Sequence, residues 1–294
     1  MKTPLSHRNS GFTMAELMMS LVTFGLVAIS VMSFLNFGMM SFAKNLSVNS
    51  SHNTTRVVMD RIGNSINTCS GEPKLVSVTG AAVTSGSAAG VQFDQFRGGP
   101  YVVVHPGGTG LLATTTSFTV KRSLHALASP PPPGVNDVVI FDGLTTRMKI
   151  ASVTNGSIDA NNRQSHVITL TAAIGSAVNW TATSTKVVNI FRPKAYVVIS
   201  VGNRNQLRSF DNSEFGTNFS TSTNYELVCE NIGVGTNDIT PFSLSTNTDY
   251  GSRRLLNVAL RIRDRQFDQR LTKKETSNQS ATMQLDVSFA AKGS

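Results

Sequence analysis

The sequence predicts an α+β fold: a long N-terminal helix, one half membrane-spanning and the other amphipathic, packed on an antiparallel β-sheet head. Three observations predict it. From Leu17 to Ala43 no residue carries a charge. Apolar residues then recur at helical spacing as far as about Asn67. From Lys74 onwards that spacing gives way to short β-branched and aromatic runs, punctuated by Gly, Asn, Ser and Pro.

Composition narrows the class. The chain has 294 residues, 40% hydrophobic and only 15% charged, which excludes a disordered protein. Two cysteines exclude a disulfide-dense scaffold and a four-thiolate zinc site. Lys and Arg number 26 against 17 Asp and Glu, a net charge of +9.

The first element is the uncharged run. A helix needs about 20 apolar residues to cross the hydrocarbon core of a bilayer, and Leu17–Ala43 exceeds that. No second run of this kind follows, so the chain is expected to cross once. The preceding residues, Met1 to Gly11, include Lys2 and Arg8 and no acid. A basic flank stays cytoplasmic, which leaves the rest of the chain exported. A cleaved secretory signal fits poorly. Its apolar stretch would span about 7–15 residues and end in a small-x-small site, whereas this run is longer and is followed by Asn36-Phe37-Gly38-Met39-Met40.

The junction reads Gly11-Phe12-Thr13-Met14-Ala15-Glu16-Leu17-Met18. A basic leader ends in Gly, Phe follows, an acid stands at the fifth position counted from that Phe, and a long apolar helix comes next. This closely resembles the class III signal of type IV pilins and type II secretion pseudopilins. The resemblance covers about residues 1–45. It implies that a prepilin peptidase cuts between Gly11 and Phe12, removing residues 1–11, and N-methylates Phe12. It implies that Glu16 pairs with the Phe amine of a neighbouring subunit during assembly. A carboxylate in an apolar helix is expensive in lipid and usually marks a partner or a function. Snorkelling of Glu16 to the cytoplasmic interface is the other reading of that residue. The implied partners are the peptidase, other pilin or pseudopilin subunits and the inner membrane. The implied location is that membrane, with the leader cytoplasmic and the head periplasmic or extracellular, and later a pilus or pseudopilus.

The helix is expected over residues 12–70, with the anchor over about 12–43. Beyond the anchor, Val48, Thr55, Val58, Met59, Ile62 and Ile66 form one face that can cover a sheet. Phe12 to Asn67 as one helix would be roughly 80 Å long. Gly25 and Gly38 are permissive points along it, and Cys69-Ser70-Gly71-Glu72-Pro73 carries helix-stopping residues.

The head, residues 71–294, is expected to be β-rich. Strand-like runs are Val102–Val104, Phe118–Val120, Val138–Phe141, Val167–Leu170, Val187–Phe191, Tyr196–Val201 and Tyr225–Cys229. The four prolines within 129–134 mark a rigid loop that could divide the head in two. Leu256, Val258, Leu260 and Ile262 alternate with polar or small residues, as do Met283, Leu285, Val287 and Phe289. Both segments read as half-buried strands, an antiparallel pair joined by a polar loop over about 267–281. In size and layout the head resembles the larger minor subunits, the J and W types.

No catalytic constellation is evident. The histidines, at 7, 52, 105, 125 and 166, show no metal-ligand spacing, and there is no Gly-x-Ser-x-Gly elbow. No enzyme activity, cofactor or metal is expected. Asp137 and Asp142 read as turn formers before calcium ligands. Cys69 and Cys229 are candidates for a disulfide in an oxidising compartment; two separate buried thiols are the alternative. Arg261, Arg263 and Arg265 fall on one strand face about 6–7 Å apart. That stripe suits an acidic partner subunit, lipid headgroups or DNA phosphates, or is simply a solvated face partly neutralised by Asp on the neighbouring strand, such as Asp286. The expected function is a minor pilin or pseudopilin, a structural subunit of a type IV pilus or type II secretion filament. Two rivals stand beside it: a competence-type pilin holding DNA on a basic head, and a membrane-tethered periplasmic protein of another activity.

Overall fold

The computed structural model describes residues 13–104, 110–123, 131–141, 146–179, 186–202, 204–211, 217–233, 239–247, 253–263 and 282–290. One long helix, α1 (Met14–Asn67), packs on a large antiparallel sheet. At 54 residues it is about 81 Å long. Its two halves differ sharply. From Met14 to Leu46 every large apolar side chain is exposed. From Ser47 the buried face runs through Ser51, Thr55, Val58, Met59, Ile62 and Ile66. The expected amphipathic half is thus present, with Ser47 and Ser51 added to its buried face and Val48 only half-buried.

Sixteen strands follow among the described residues. They are β1 (Cys69–Val76), β2 (Ala82–Val83), β3 (Ser87–Ala88), β4 (Gly90–Val104), β5 (Gly110–Leu111), β6 (Ser117–Arg122), β7 (Val138–Phe141) and β8 (Met148–Ile158). The rest are β9 (Gln164–Leu170), β10 (Val178–Asn179), β11 (Val187–Val201), β12 (Arg204–Asp211), β13 (Glu226–Ile232), β14 (Phe242–Asn247), β15 (Arg253–Arg263) and β16 (Thr282–Ala290).

The 15-residue strands β4 and β11 pair with each other almost throughout and organise the head. Each changes its second neighbour midway. β4 pairs with β1 over its first half and β6 over its last residues. β11 pairs with β7 over Val188–Phe191 and with β12 from Lys194 onwards. This explains why Val187–Phe191 and Tyr196–Val201, legible as two runs, form one strand. Pro193 lacks an N–H and is normally confined to edges or bulges. Here it falls in the gap between the β7 and β12 pairings, where β11 has a neighbour on the β4 side only.

Two lobes hang from this ribbon. In the far lobe, β4, β6, β9, β8, β7 and β11 pair in a ring, which closes a barrel. Closure removes sheet edges, and the interior fills with Tyr101, Phe118, Phe141, Ile150, Ile168 and Ile190. In the helix lobe, β1, β3 and β12–β16 curl around the second half of α1. Val58, Met59, Ile62 and Ile66 share a core with residues such as Val91, Tyr196, Leu207, Phe242, Val258 and Leu260. A smaller cluster, including Val197, Ile199, Phe210 and Phe219, covers the opposite face of β11 and β12. The boundary between the two main cores runs across β4 and β11. The proline run leads into β7 within the far lobe, where Tyr101 donates a hydrogen bond to the Pro131 carbonyl at 2.9 Å.

The C-terminal pair forms as expected. β15 and β16 are antiparallel, with Val258 opposite Val287 and Leu260 opposite Leu285. Leu256, Val258, Leu260 and Ile262 are buried, while Asn257, Ala259 and Arg261 are more exposed.

Candidate functional site

The candidate site is the bare half of α1 and its N-terminus. Thr13 caps the helix. Its hydroxyl accepts from the Glu16 amide at 3.4 Å, and the Glu16 carboxylate accepts from the Thr13 amide and hydroxyl, each at 3.0 Å. This reciprocal capping box satisfies helix N–H groups that would otherwise lack partners. The Thr-x-x-Glu spacing before an apolar run is its sequence signal, a role for Glu16 beside the assembly one. Ser20 donates to the Glu16 carbonyl at 2.8 Å, and Thr23 to that of Met19 at 2.9 Å. These back-bonds let hydroxyls sit in an apolar surface without an unmet donor. Gly11 and Phe12 lie outside the described residues.

One described helix, α1, is long and apolar enough to cross a membrane, and its most apolar stretch is not covered by the head. A groove on it is lined by Phe34, Leu35, Gly38, Met39, Phe42, Ala43 and Leu46. An added side chain at Gly38 would meet nothing within 4 Å, so the glycine leaves a notch between Phe34 and Phe42.

The second half of α1 is tied to the head by polar contacts. Arg61 pairs with Glu226 on β13, and Ser65 shares a 2.9 Å hydrogen bond with the Tyr196 hydroxyl on β11. The hydrogen bond from Arg61 holds the Glu226 carboxyl below its usual range. The Thr68 carbonyl accepts from the Phe96 amide at 2.8 Å.

The disulfide expected as one option between Cys69 and Cys229 is not formed in this structure. Both are buried free thiols. Cys69 opens β1 and Cys229 sits in β13, and β4, β11 and β12 lie between those strands in the sheet. Both side chains face the helix-lobe core, where they sit as separate thiols. Burial pushes the Cys69 thiol up to about 11 and the Cys229 thiol up to about 12.

Of the arginine stripe, Arg261 is exposed on β15, opposite Gln284 rather than an acid. Arg263 is the last residue of β15, and Arg265 lies outside the described residues. Asp137 is no open metal ligand, because its buried carboxylate is held by Arg97, Arg192 and the Gly134 amide. Asp142 and three of the histidines lie outside the described residues. Of the other two, His52 is exposed on α1, and His166 is buried with a 3.1 Å contact to Asn155. Among the described residues, no three His, Cys, Asp or Glu side chains come together as a metal site. A small cavity of about 120 Å³ lies beside Asp94 and Arg147, but those two side chains are already paired with each other.

No protein-family model, no curated protein and no solved structure matches the chain.

Proposed function

We propose that the chain is a minor pilin or pseudopilin, a structural subunit of a type IV pilus or type II secretion filament that catalyses nothing itself. In this reading the leader is removed between Gly11 and Phe12, the Phe12 amine is methylated, and the bare half of α1 anchors the subunit in the inner membrane until extraction. The same surface then packs against the helices of neighbouring subunits. Glu16 changes partner on assembly, leaving the Thr13 cap for a neighbour's Phe12 amine.

The observation that carries the reading is the division of one continuous helix. About 50 Å of it stands bare and apolar behind the Gly-Phe-x-x-x-Glu junction, and the rest is embedded in a β-sheet head. A helix that only anchored a periplasmic domain would have use for Glu16, which caps it through Thr13, but would need no Gly11-Phe12 junction before that cap. Intact-mass measurement and N-terminal sequencing of the membrane-extracted protein test the reading. The expected terminus is N-methylated Phe12. A terminus beyond residue 38 would mean an ordinary secretory signal.

A further inference from the structure

The far barrel closes on β8 only partway along that strand. β7 pairs with its first residues, Met148 and Lys149. Ile150 ends the contact: its amide donates to the Asp137 carbonyl at 2.8 Å, and its carbonyl accepts from the Asn136 amide at 2.9 Å. There Asn136, at φ 68°, turns the chain off the strand, and the prolines at 131–133 before it have no N–H to continue a ladder. β9 runs on along the other side as far as Ile158, opposite Gln164. Over 151–158, therefore, β8 is paired on one side only among the described residues.

The register fixes which backbone groups stand open. The Leu170 amide donates to the Thr116 carbonyl at 2.7 Å, on the β6 side, and the Thr171 amide to the Lys149 carbonyl at 2.9 Å, on the β8 side. In an antiparallel ladder these directions alternate residue by residue. Thr169 and Val167 thus bond toward β8, to Ser152 and Thr154, while Ile168 and His166 bond toward β6. Val153 and Asn155, opposite the last two, turn N–H and C=O outward. The side chains agree: Asn155 and His166 meet at 3.1 Å, as suits a closer, non-hydrogen-bonded pair. Exposed edges of natural sheets are usually blunted by charge, proline or shortness. β1, past its brief pairing with β2, carries Glu72, Pro73 and Lys74. Residues 151–158 of β8 include neither charge nor proline, and most are exposed. Register shifts bound the stretch, but 152–155 between them stays regular. It is also held in place. Ser165 donates to the Ser157 carbonyl at 2.8 Å, and Asp159 ties the turn through the Asn161 and Arg163 amides, each at 3.0 Å. Val135, next to Asn136, and Ile158 are 52% and 60% exposed and offer apolar contact near its two ends.

We infer that the outer edge of β8, through Val153 and Asn155, is a docking site for an extended, uncharged segment of a partner protein, which adds to the far barrel as a strand. The open backbone groups specify another backbone, and an edge without charge offers nothing for a charged one to pair with. A second copy of this chain does not fit. Paired antiparallel about Thr154, it would bring its own turn at 159–163 onto the place beside 148–150 that β7 holds. A single extended segment can stop short of β7. The site belongs to the far lobe and does not depend on the role of the bare half of α1.

The test uses the full-length protein in detergent and, as a β-prone probe, a capped peptide of about seven alternating threonines and valines at about 0.5 mM. Hydrogen exchange is read residue by residue across 151–158. Without peptide, the Val153 and Asn155 amides should exchange at least about tenfold faster than those of Ser152 and Thr154. The peptide should slow the first pair about fivefold or more, and the same peptide N-methylated throughout should not. Asn155→Pro should abolish the slowing at Val153, with unchanged exchange across β11 as the folding control; Thr154→Lys serves the same end if the proline disturbs the fold. Equal rates at the four amides without peptide would overturn the open edge. Open amides that the peptide leaves unchanged, or that the N-methylated peptide slows equally, would overturn strand addition. Slowing that grows with protein concentration in the absence of peptide would overturn the choice of occupant in favour of a second copy.

Discussion

Asp137 is fully buried, and its carboxylate takes donors from Arg97, from Arg192 at 3.1 Å and from the Gly134 amide at 2.7 Å. Gly134 favours this closeness, because a Cβ there would stand 2.6 Å from the Arg97 Nη1 and push that guanidinium off its place. Removing one partner of a buried ion pair leaves the other uncompensated and costs about 3–5 kcal/mol. Both arginines keep some solvent contact, so Asp137→Ala should cost about 3 kcal/mol, read as a lowered urea midpoint of the detergent-solubilised protein. The buried thiols make a second prediction. At pH 8 iodoacetamide should modify Cys69 and Cys229 slowly in the native protein and both readily after unfolding, as counted by mass. Their folded-state pKa values are raised by burial, so the stability tied to keeping them protonated is complete below the unfolded pKa of about 8.5. It falls as pH rises from there through the folded values near 11 and 12. Little of this was legible in the sequence. Whether two cysteines meet depends on strand order, and nothing local to residues 69 or 229 says that three strands separate them. Asp137 likewise draws its partners from 40 and 55 residues away.

At the scale of elements, α1 was legible to within about three residues: 12–70 expected, with the helical pattern fading at about Asn67, and Met14–Asn67 found. A helix writes its burial into a local period, and Val58, Met59, Ile62 and Ile66 keep that period. Ile62 is fully buried in the helix-lobe core, and Ile62→Ala should cost about 2–5 kcal/mol by transfer and cavity terms. An exposed control, Val57→Ala, should cost well under 1 kcal/mol in the same urea titration. Strands whose faces alternate, β15 above all, were legible for the same reason. β8 was not, because beyond Ile150 its residues are small, polar and mostly exposed, and they show no alternation to read. The 69–73 segment was legible only as a stop. Thr68 does end the helix, yet the chain enters β1 at once and absorbs Pro73 where the register with β4 shifts, between Ser70 and Lys74.

At the scale of the whole molecule, the helix-on-sheet class followed from the change of period near residue 70. The two-lobed arrangement did not, since it depends on β4 and β11 each serving two sets of neighbours. Glu16→Val should leave membrane insertion intact or improve it, because lipid accepts valine more readily than a carboxylate. Recovery of the variant in sheared filaments should drop by a factor of hundreds, the consequence of about 3–5 kcal/mol for a buried amine left unpaired. Wild-type recovery would rule out an internal position in the filament. The shared ribbon has a mechanical consequence. β4 and β11 run unbroken from the helix lobe to the far barrel, so tension along that axis loads their hydrogen bonds to β1 and β12 side by side, in shear, instead of peeling them one by one. The two lobes cannot be drawn apart without sliding β4 along β1 and β11 along β12, or β4 along β6 and β11 along β7. Pulled in an optical trap between the helix and the far barrel, the head should yield in one high-force rupture, the response that the proposed filament role would call for.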